Sequence, residues 1–149
     1  MPLAEKLNNQ QLHEFEKLHD AGFEGYFEAG EERAFVPEGN YKVHYVKGEM
    51  NYYHGTPKIY LWFQIIEPYE HKGTELFMAM NAFKKVPPGA KYYQQWVIAN
   101  DNITPARKDR MSPSIFRNGI FNAIVRTVKQ RNKNASKYSV IDSLTEKLN

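Results

Sequence analysis

The stretch 58-KIYLWFQIIE-67 alternates between two kinds of side chain. One set is entirely aliphatic or aromatic: Ile59, Leu61, Phe63 and Ile65. The other set combines a cation, two polarisable rings and an amide: Lys58, Tyr60, Trp62 and Gln64. A period of two is typical of a β-strand with one buried face. The stretch therefore predicts a strand whose apolar set joins the core and whose second set faces away from it.

Further strands are predicted on both sides of this one. Tyr41, Val43 and Tyr45 share a face in a preceding strand, and the turn-forming composition of Gly48–Pro57 predicts a loop between the two. Glu75–Asn81 predicts a third strand, but both of its alternating sets contain apolar residues, so its inward face stays open. Tyr41, Tyr45 and Phe63 are expected in the core.

The second half of the chain predicts a helix and two more strands. The helix covers residues 91 to about 100, with Tyr92 and Trp96 in the core, and a polar connection follows it. Residues 119–130 favour a fourth strand over a helix, and residues 138–141 predict a short fifth strand before an end that turns helical. Ahead of the strands, leucines at helical spacing predict an acidic helix and linker over residues 1–36, which leaves a domain over 37–149.

Charge is divided unevenly along the 149 residues. Residues 1–39 hold three basic and nine acidic side chains, whereas residues 107–137 hold nine basic side chains against Asp109 alone. Such a basic segment indicates a polyanionic partner, with nucleic acid ahead of an anionic membrane surface, or else a solvated basic face. The absence of cysteine excludes disulfides and thiolate metal sites and suits a cytoplasmic protein. No apolar run is long enough to span a bilayer.

The sequence carries no strong catalytic signature. A phosphate-binding GxxxxGK[ST] loop, a GxSxG nucleophile elbow and an HExxH zinc motif are all missing. We therefore expect a protein that is not an enzyme and that needs neither a metal ion nor another cofactor. Glu70-His71-Lys72 matches half of a metal-dependent nuclease motif. A nuclease accordingly stays open as an alternative function.

The order of three strands, a helix and two strands is that of an OB-fold. The runs VPEGNYKVHYVKGEM, PKIYLWFQIIEPYEHKGTELFMAMN, DRMSPSIFRNGIFNAIVRTVKQ and YSVID carry a further likeness. Over residues 36–142 the chain resembles the small OB-fold proteins of phages and mobile genetic elements that bind single-stranded DNA. The resemblance implies a mainly β, five-stranded barrel with a helix between strands 3 and 4, and a role in DNA replication or recombination. The chain departs from bacterial single-strand-binding proteins in ending DSLTEKLN, without their acidic tail.

A binder of single strands needs flat rings on which bases stack and cations that neutralise phosphates. The predicted stacking residues are Tyr52, Tyr53, Tyr60 and Trp62. The predicted phosphate contacts are Lys58, Arg107, Lys108, Arg110, Arg126, Lys129, Arg131, Lys133 and Lys137. In an OB-fold the loops after strands 1 and 4 flank the strand 2–3 face, which would bring these groups together. The alternative for Tyr60 and Trp62 is packing beneath the N-terminal helix.

Other partners stay open. RNA could replace DNA, the chain could form a homo-oligomer, and replication or recombination proteins could bind it. A different class of function is a protein-interaction module, such as an inhibitor that uses the same aromatic face against a host protein.

Overall fold

The computed structural model describes residues 33–129 and 136–149, which belong to one compact unit, Glu32–Asn149. Its regular elements are β1 (Gly39–Tyr53), β2 (Thr56–Glu67), β3 (Glu75–Asn81), α1 (Lys91–Ala99), β4 (Ile120–Val128) and β5 (Tyr138–Lys147). The mainly β prediction, with a helix between the third and fourth strands, is therefore confirmed. The predicted helix and linker, up to residue 32, and the predicted contacts Arg131 and Lys133 lie outside the described residues.

All five strands form one antiparallel sheet in the order β3-β2-β1-β4-β5. The first three strands follow one another as hairpins, and β4 returns to pair with the free side of β1. This is a Greek-key arrangement, in which three sequential strands are joined by a fourth beside the first. β3 and β5, the two outer strands in this order, also contact each other.

The connection between β1 and β2 is shorter than predicted. Gly48–Pro57 was expected to form a loop, and this prediction is wrong, because β1 continues to Tyr53 and β2 begins at Thr56. Only His54 and Gly55 lie between the strands, with φ of 51° and 79°. Positive φ at both central residues is typical of the two-residue type I′ turn, whose twist matches that of the strands it joins.

The inner faces of the strands meet in one core. The predicted apolar face of β2 is confirmed, since Leu61, Phe63 and Ile65 are buried. In β3 the buried set is Leu76, Met78 and Met80, which leaves Phe77 on the outer face. The remaining large core side chains come from the other strands, α1 and the segment before β4: Tyr41, Val43, Tyr92, Trp96, Phe116, Phe121, Val125, Ile141 and Leu144.

α1 packs on the sheet through residues that also make polar contacts. Tyr92 and Trp96 are buried as predicted, and each donates a hydrogen bond to a carbonyl of the following connection, at 2.5 Å to Met111 and 3.0 Å to Ser112. Gln95 is 4% exposed and bonds β5 through both ends of its amide. Its Oε1 accepts from the N–H of Leu144 at 2.6 Å, and its Nε2 donates to the same residue's carbonyl at 3.5 Å.

β5 extends well beyond the predicted residues 138–141, and the predicted helical end is wrong. The strand runs to Lys147, with two register shifts against β4. These irregularities place Ile141 and Leu144 on the buried face although they are three residues apart. Such spacing is usual in helices, and the bulges are what allow it in a strand.

The chain ahead of β1 is fixed to β5. Val36 is 2% exposed, and the Ser139 hydroxyl both accepts from its N–H and donates to its carbonyl, each at 2.8 Å. The N–H of Ser139 donates to the carbonyl of Ala34 at 2.9 Å. The packed unit therefore includes residues 33–36, ahead of the first strand.

Candidate nucleic-acid interface

An aromatic cluster lies on the outer face of β2 and β3. Phe77 of β3 pairs in register with Trp62 of β2, and their ring centres are 5.2 Å apart. Tyr60, two residues earlier on β2, meets the same Phe77 edge-on at 5.5 Å. Tyr60 and Trp62 were predicted for this face, whereas Phe77 was not singled out. Its place follows from the β2–β3 register, which the sequence of β3 alone leaves undecided.

The cluster continues onto β5 through Tyr138. The rings of Phe77 and Tyr138 are nearly parallel, with an interplanar angle of 27° and centres 6.4 Å apart. The guanidinium carbon of Arg33 lies 4.5 Å from the centre of the Tyr138 ring, within cation–π distance. Sequence analysis missed Tyr138 and Arg33 because nothing local places either residue beside β3.

Lysines from β1 and β2 also border the rings. The Lys47 ammonium lies 5.7 Å from the centre of the Trp62 ring, and 2.9 Å from Glu49 Oε1. The hydrogen bond that Lys47 donates to Glu49 raises the pKa of this lysine. Lys58 lies 6.0 Å from the centre of the Tyr53 ring. We call Tyr53, Lys58, Tyr60, Trp62, Phe77 and Tyr138 the outer aromatic face.

Trp62 has an unsatisfied polar group. Its Nε1 is buried and has no hydrogen-bond partner in the part of the chain that the structure describes. A buried donor without a partner destabilises a protein by roughly 1–3 kcal/mol. Phenylalanine at this position would keep a flat ring and remove that donor.

The two tyrosines at the end of β1 are separated by the alternation of the strand. Tyr53 is 58% exposed and joins the outer aromatic face beside Lys58. Tyr52 is 74% exposed but lies on the opposite face of the hairpin. Its N–H is capped by the Asn51 side chain at 2.8 Å. Three of the four predicted stacking residues, Tyr53, Tyr60 and Trp62, therefore share one face of the sheet, and Tyr52 lies on the other.

Those predicted cations of residues 107–137 that the structure describes divide into three groups. Arg107 and Arg126 are in exposed ion pairs, with Asp109 at 3.1 Å and Asp142 at 3.0 Å respectively. Lys108 lines a groove beside β1, and Arg110 is exposed in the same connection. Lys129 and Lys137 are exposed on either side of the β4–β5 connection, next to the pair Val128–Tyr138. Of these cations, Lys137 is the sequence neighbour of Tyr138, and Arg126 lies two residues before Val128 on the same face of β4.

No protein-family model matches the sequence, and no curated protein shows significant similarity to it. Across residues 33–129 and 136–149, no group of three or more His, Cys, Asp or Glu side chains is arranged to hold a metal ion. Over the same ranges, no helix is long and apolar enough to cross a membrane.

Proposed function

We propose that the protein binds single-stranded DNA through the outer aromatic face. The observation that carries the proposal is the unbroken line of rings on one surface, from Tyr60 and Trp62 through Phe77 to Tyr138. Rings on three strands are held by mutual contact, so the face is formed before any ligand arrives. Bases stack on such rings without regard to sequence, and this suits a binder of single strands.

Cations at both ends of the line supply the second requirement. Lys58 and Tyr53 lie at the hairpin end, and Arg33 and Lys137 lie at the Tyr138 end. The connection between Lys129 and Lys137 adds Arg131 and Lys133 by sequence. Phosphates that follow the rings would therefore meet positive charge at each end, which favours binding at low salt.

The strand order supports an OB-like barrel as the fold behind this function. A Greek key in which β3 and β5 also contact each other matches a five-stranded, partly open barrel. OB-folds bind oligonucleotides on the strand 2–3 face and on the loops after strands 1 and 4. The outer aromatic face has this location. A role in the replication or recombination of a phage or mobile element is the part of the proposal that rests on the sequence resemblance.

The first test is a fluorescence-anisotropy titration with a labelled single strand of about 12 nucleotides, within the site sizes known for OB-folds. Duplex DNA and single-stranded RNA of equal length are titrated in parallel, at about 50 mM and about 200 mM salt. We expect the single-stranded DNA to bind most tightly, and its affinity to fall as salt rises. Equal affinity for the duplex would indicate a phosphate-only surface and would contradict stacking.

Aromatic variants locate the site. Phe77→Ala or Trp62→Ala should weaken single-strand binding by roughly 1–3 kcal/mol, which is roughly 5- to 150-fold in Kd. Trp62→Phe should keep most of the affinity and should not lower stability, because it removes the unsatisfied Nε1 donor. The matched control is Tyr52→Ala, a more exposed aromatic on the other face of the hairpin. If Tyr52→Ala impairs binding and Phe77→Ala does not, the outer aromatic face is the wrong surface.

Charge variants separate the ends of the face from the ion-paired arginines. Lys137→Ala should reduce the slope of log Kd against log salt by about 1, as expected for the loss of one phosphate contact. Arg107→Ala, which removes an arginine already paired with Asp109, serves as the control and should leave the slope unchanged. Equal effects of the two variants would indicate a diffuse electrostatic attraction with no defined path.

A further inference from the structure

One edge of β1 is unpaired over the second half of the strand. β1 is bonded to β2 as far as Tyr53, but its pairing with β4 ends at His44. The last main-chain bond on the β4 side is donated by the N–H of Tyr45 to the carbonyl of Gly119, at 3.1 Å. Beyond Tyr45, no described residue forms a main-chain hydrogen bond with this edge of the hairpin. An unpaired edge of this kind is a template for another strand.

The groups exposed at this edge belong to Gly48 and Met50. Main-chain N–H and C=O groups alternate between the two edges of a strand in step with its side chains. Gly48 and Met50 face the same side of the sheet as Tyr45, so their main-chain groups point to the same edge as its N–H. By the same alternation the N–H of Tyr52 points to the free edge, and it donates to Asn51 Oδ1 and not to β2.

A groove of roughly 1000 Å³ runs along this free edge. β1 from His44 to Met50 forms one wall, and parts of residues 82–86 and 108–118 form the others. Ile59 and Met111 give it apolar lining, and the partly buried Tyr45, whose pKa is raised by burial, adds a ring. Because parts of residues 82–86 and 108–118 also line the groove, an extended chain paired with this edge would contact them as well as β1.

The charge around the groove is positive. Lys84, Lys108 and Arg117 are exposed at its walls, and within the described ranges none of them is in an ion pair. The groove's two carboxylates, Glu49 and Asp109, are each bonded to a basic side chain within two residues. The uncompensated charge therefore favours an acidic occupant.

An acidic peptide fits this edge better than a nucleic acid does. The edge presents carbonyl acceptors as well as N–H donors, and a peptide strand satisfies both. Phosphates only accept hydrogen bonds, so they would repel the carbonyl oxygens of this edge and leave them without a donor. We propose that the groove along the free edge of β1 binds an extended acidic segment of a partner protein by β-strand addition. The inference does not depend on DNA binding, which was assigned to the outer face.

The test uses the full chain and a fluorescein-labelled peptide of about eight residues that alternates Glu and Val. The first control peptide replaces Glu with Lys, and the second keeps Glu but carries N-methyl groups that remove alternate main-chain donors. Binding is followed by anisotropy, and the amide exchange of Gly48 and Met50 by NMR. We expect only the unmodified Glu peptide to bind and to slow exchange of these two amides by about tenfold or more.

Variants of the protein test the charge requirement. Lys84→Glu combined with Arg117→Glu should raise the Kd for the Glu peptide by about tenfold or more. Lys85→Glu makes the same kind of charge change at a neighbouring residue that does not line the groove, and it should have little effect. Trp62→Ala should bind the peptide normally, which distinguishes this site from the outer aromatic face. If circular dichroism shows that the double variant does not fold, the proposal is tested by comparing the binding of the methylated and unmodified peptides to the native chain.

Four outcomes would overturn the proposal. The N-methylated peptide could bind as well as the unmodified one, which would exclude strand addition. The amides of Gly48 and Met50 could already be protected before peptide is added. An oligonucleotide could protect these amides when the peptide does not, which would assign the groove to nucleic acid. Finally, the protection of the Gly48 and Met50 amides could rise with protein concentration and not change when peptide is added, which would assign the edge to a second copy of the chain.

Discussion

Replacing Ser139 with alanine tests how strongly the segment ahead of β1 is held by β5. The Ser139 hydroxyl is the partner of both main-chain groups of Val36, at 2.8 Å each, and Ser139 itself is 3% exposed. Alanine removes both hydrogen bonds without adding bulk. It leaves a donor and an acceptor of Val36 buried and unsatisfied, because no water can reach them while the segment stays in place.

The size of the effect follows from those two groups. A buried main-chain group that loses its partner destabilises a protein by about 1–3 kcal/mol, and the segment can relax to rescue part of this. We therefore expect Ser139→Ala to lower the free energy of unfolding by about 2–4 kcal/mol. Urea unfolding followed by the fluorescence of the two tryptophans, Trp62 and Trp96, measures this directly.

Ser143→Ala is the matched control. Ser143 lies on the same strand and is only half-buried, and no side-chain hydrogen bond is present for it in the described part of the chain. Its replacement should change the free energy of unfolding by less than about 0.5 kcal/mol. A loss below about 1 kcal/mol for Ser139→Ala would refute the reasoning, since it would mean that water replaces the hydroxyl and that Val36 is not sealed in the core.

Two further predictions concern packing and pH. Gly119→Ala should lower the free energy of unfolding by about 1–3 kcal/mol, because the added Cβ would lie 2.4 Å from the Phe121 ring. Gly89→Ala, whose added Cβ would have nothing within 4 Å, should be tolerated, and equal effects of the two variants in urea unfolding would contradict this. Burial raises the pKa of Tyr92 above its ordinary value of 10.0. Above pH 10 the unfolded chain therefore loses the Tyr92 proton while the folded chain keeps it, and the free energy of unfolding declines by at most about 1.4 kcal/mol per pH unit. Urea unfolding at about pH 8 and about pH 11 should therefore show a smaller decline for Tyr92→Phe than for the native chain, and identical declines would oppose the assignment.

The hydrophobic pattern predicted the fold best where one face of a strand is clearly apolar. In β2, Leu61, Phe63 and Ile65 are buried as expected and Ile59 is partly buried. In α1, Tyr92 and Trp96 are buried as expected, whereas the burial of Gln95 was not predicted. β5 was predicted too short because its register shifts place buried side chains three residues apart, and local periodicity cannot anticipate a bulge. The long hairpin was missed for a different reason: the turn-forming residues of 48–57 outnumber the two that make the turn.

The candidate site was only partly predictable for the same physical reason. Tyr60 and Trp62 could be placed on an outer face from β2 alone, since alternation fixes their side. Phe77 and Tyr138 join them through pairing between strands, which depends on register and on the return of β5 beside β3. Counting charges in the sequence did not show which cations are free to bind phosphates. Arg107 and Arg126 form ion pairs with Asp109 and Asp142 in the structure.

The Greek-key pairing of β1 with β4 has a consequence during synthesis on the ribosome. β1, β2 and β3 can pair as soon as they emerge, but the β4 side of β1 must wait until the chain from Asn81 to Ile120 and beyond has been translated. At usual elongation rates the intervening segment takes about 2–8 s. Throughout that interval Tyr41 and Val43 belong to an open three-stranded sheet with an uncovered apolar face. The nascent chain is therefore most prone to aggregation at this stage, and a chaperone that holds it then should raise the yield more than one added after release.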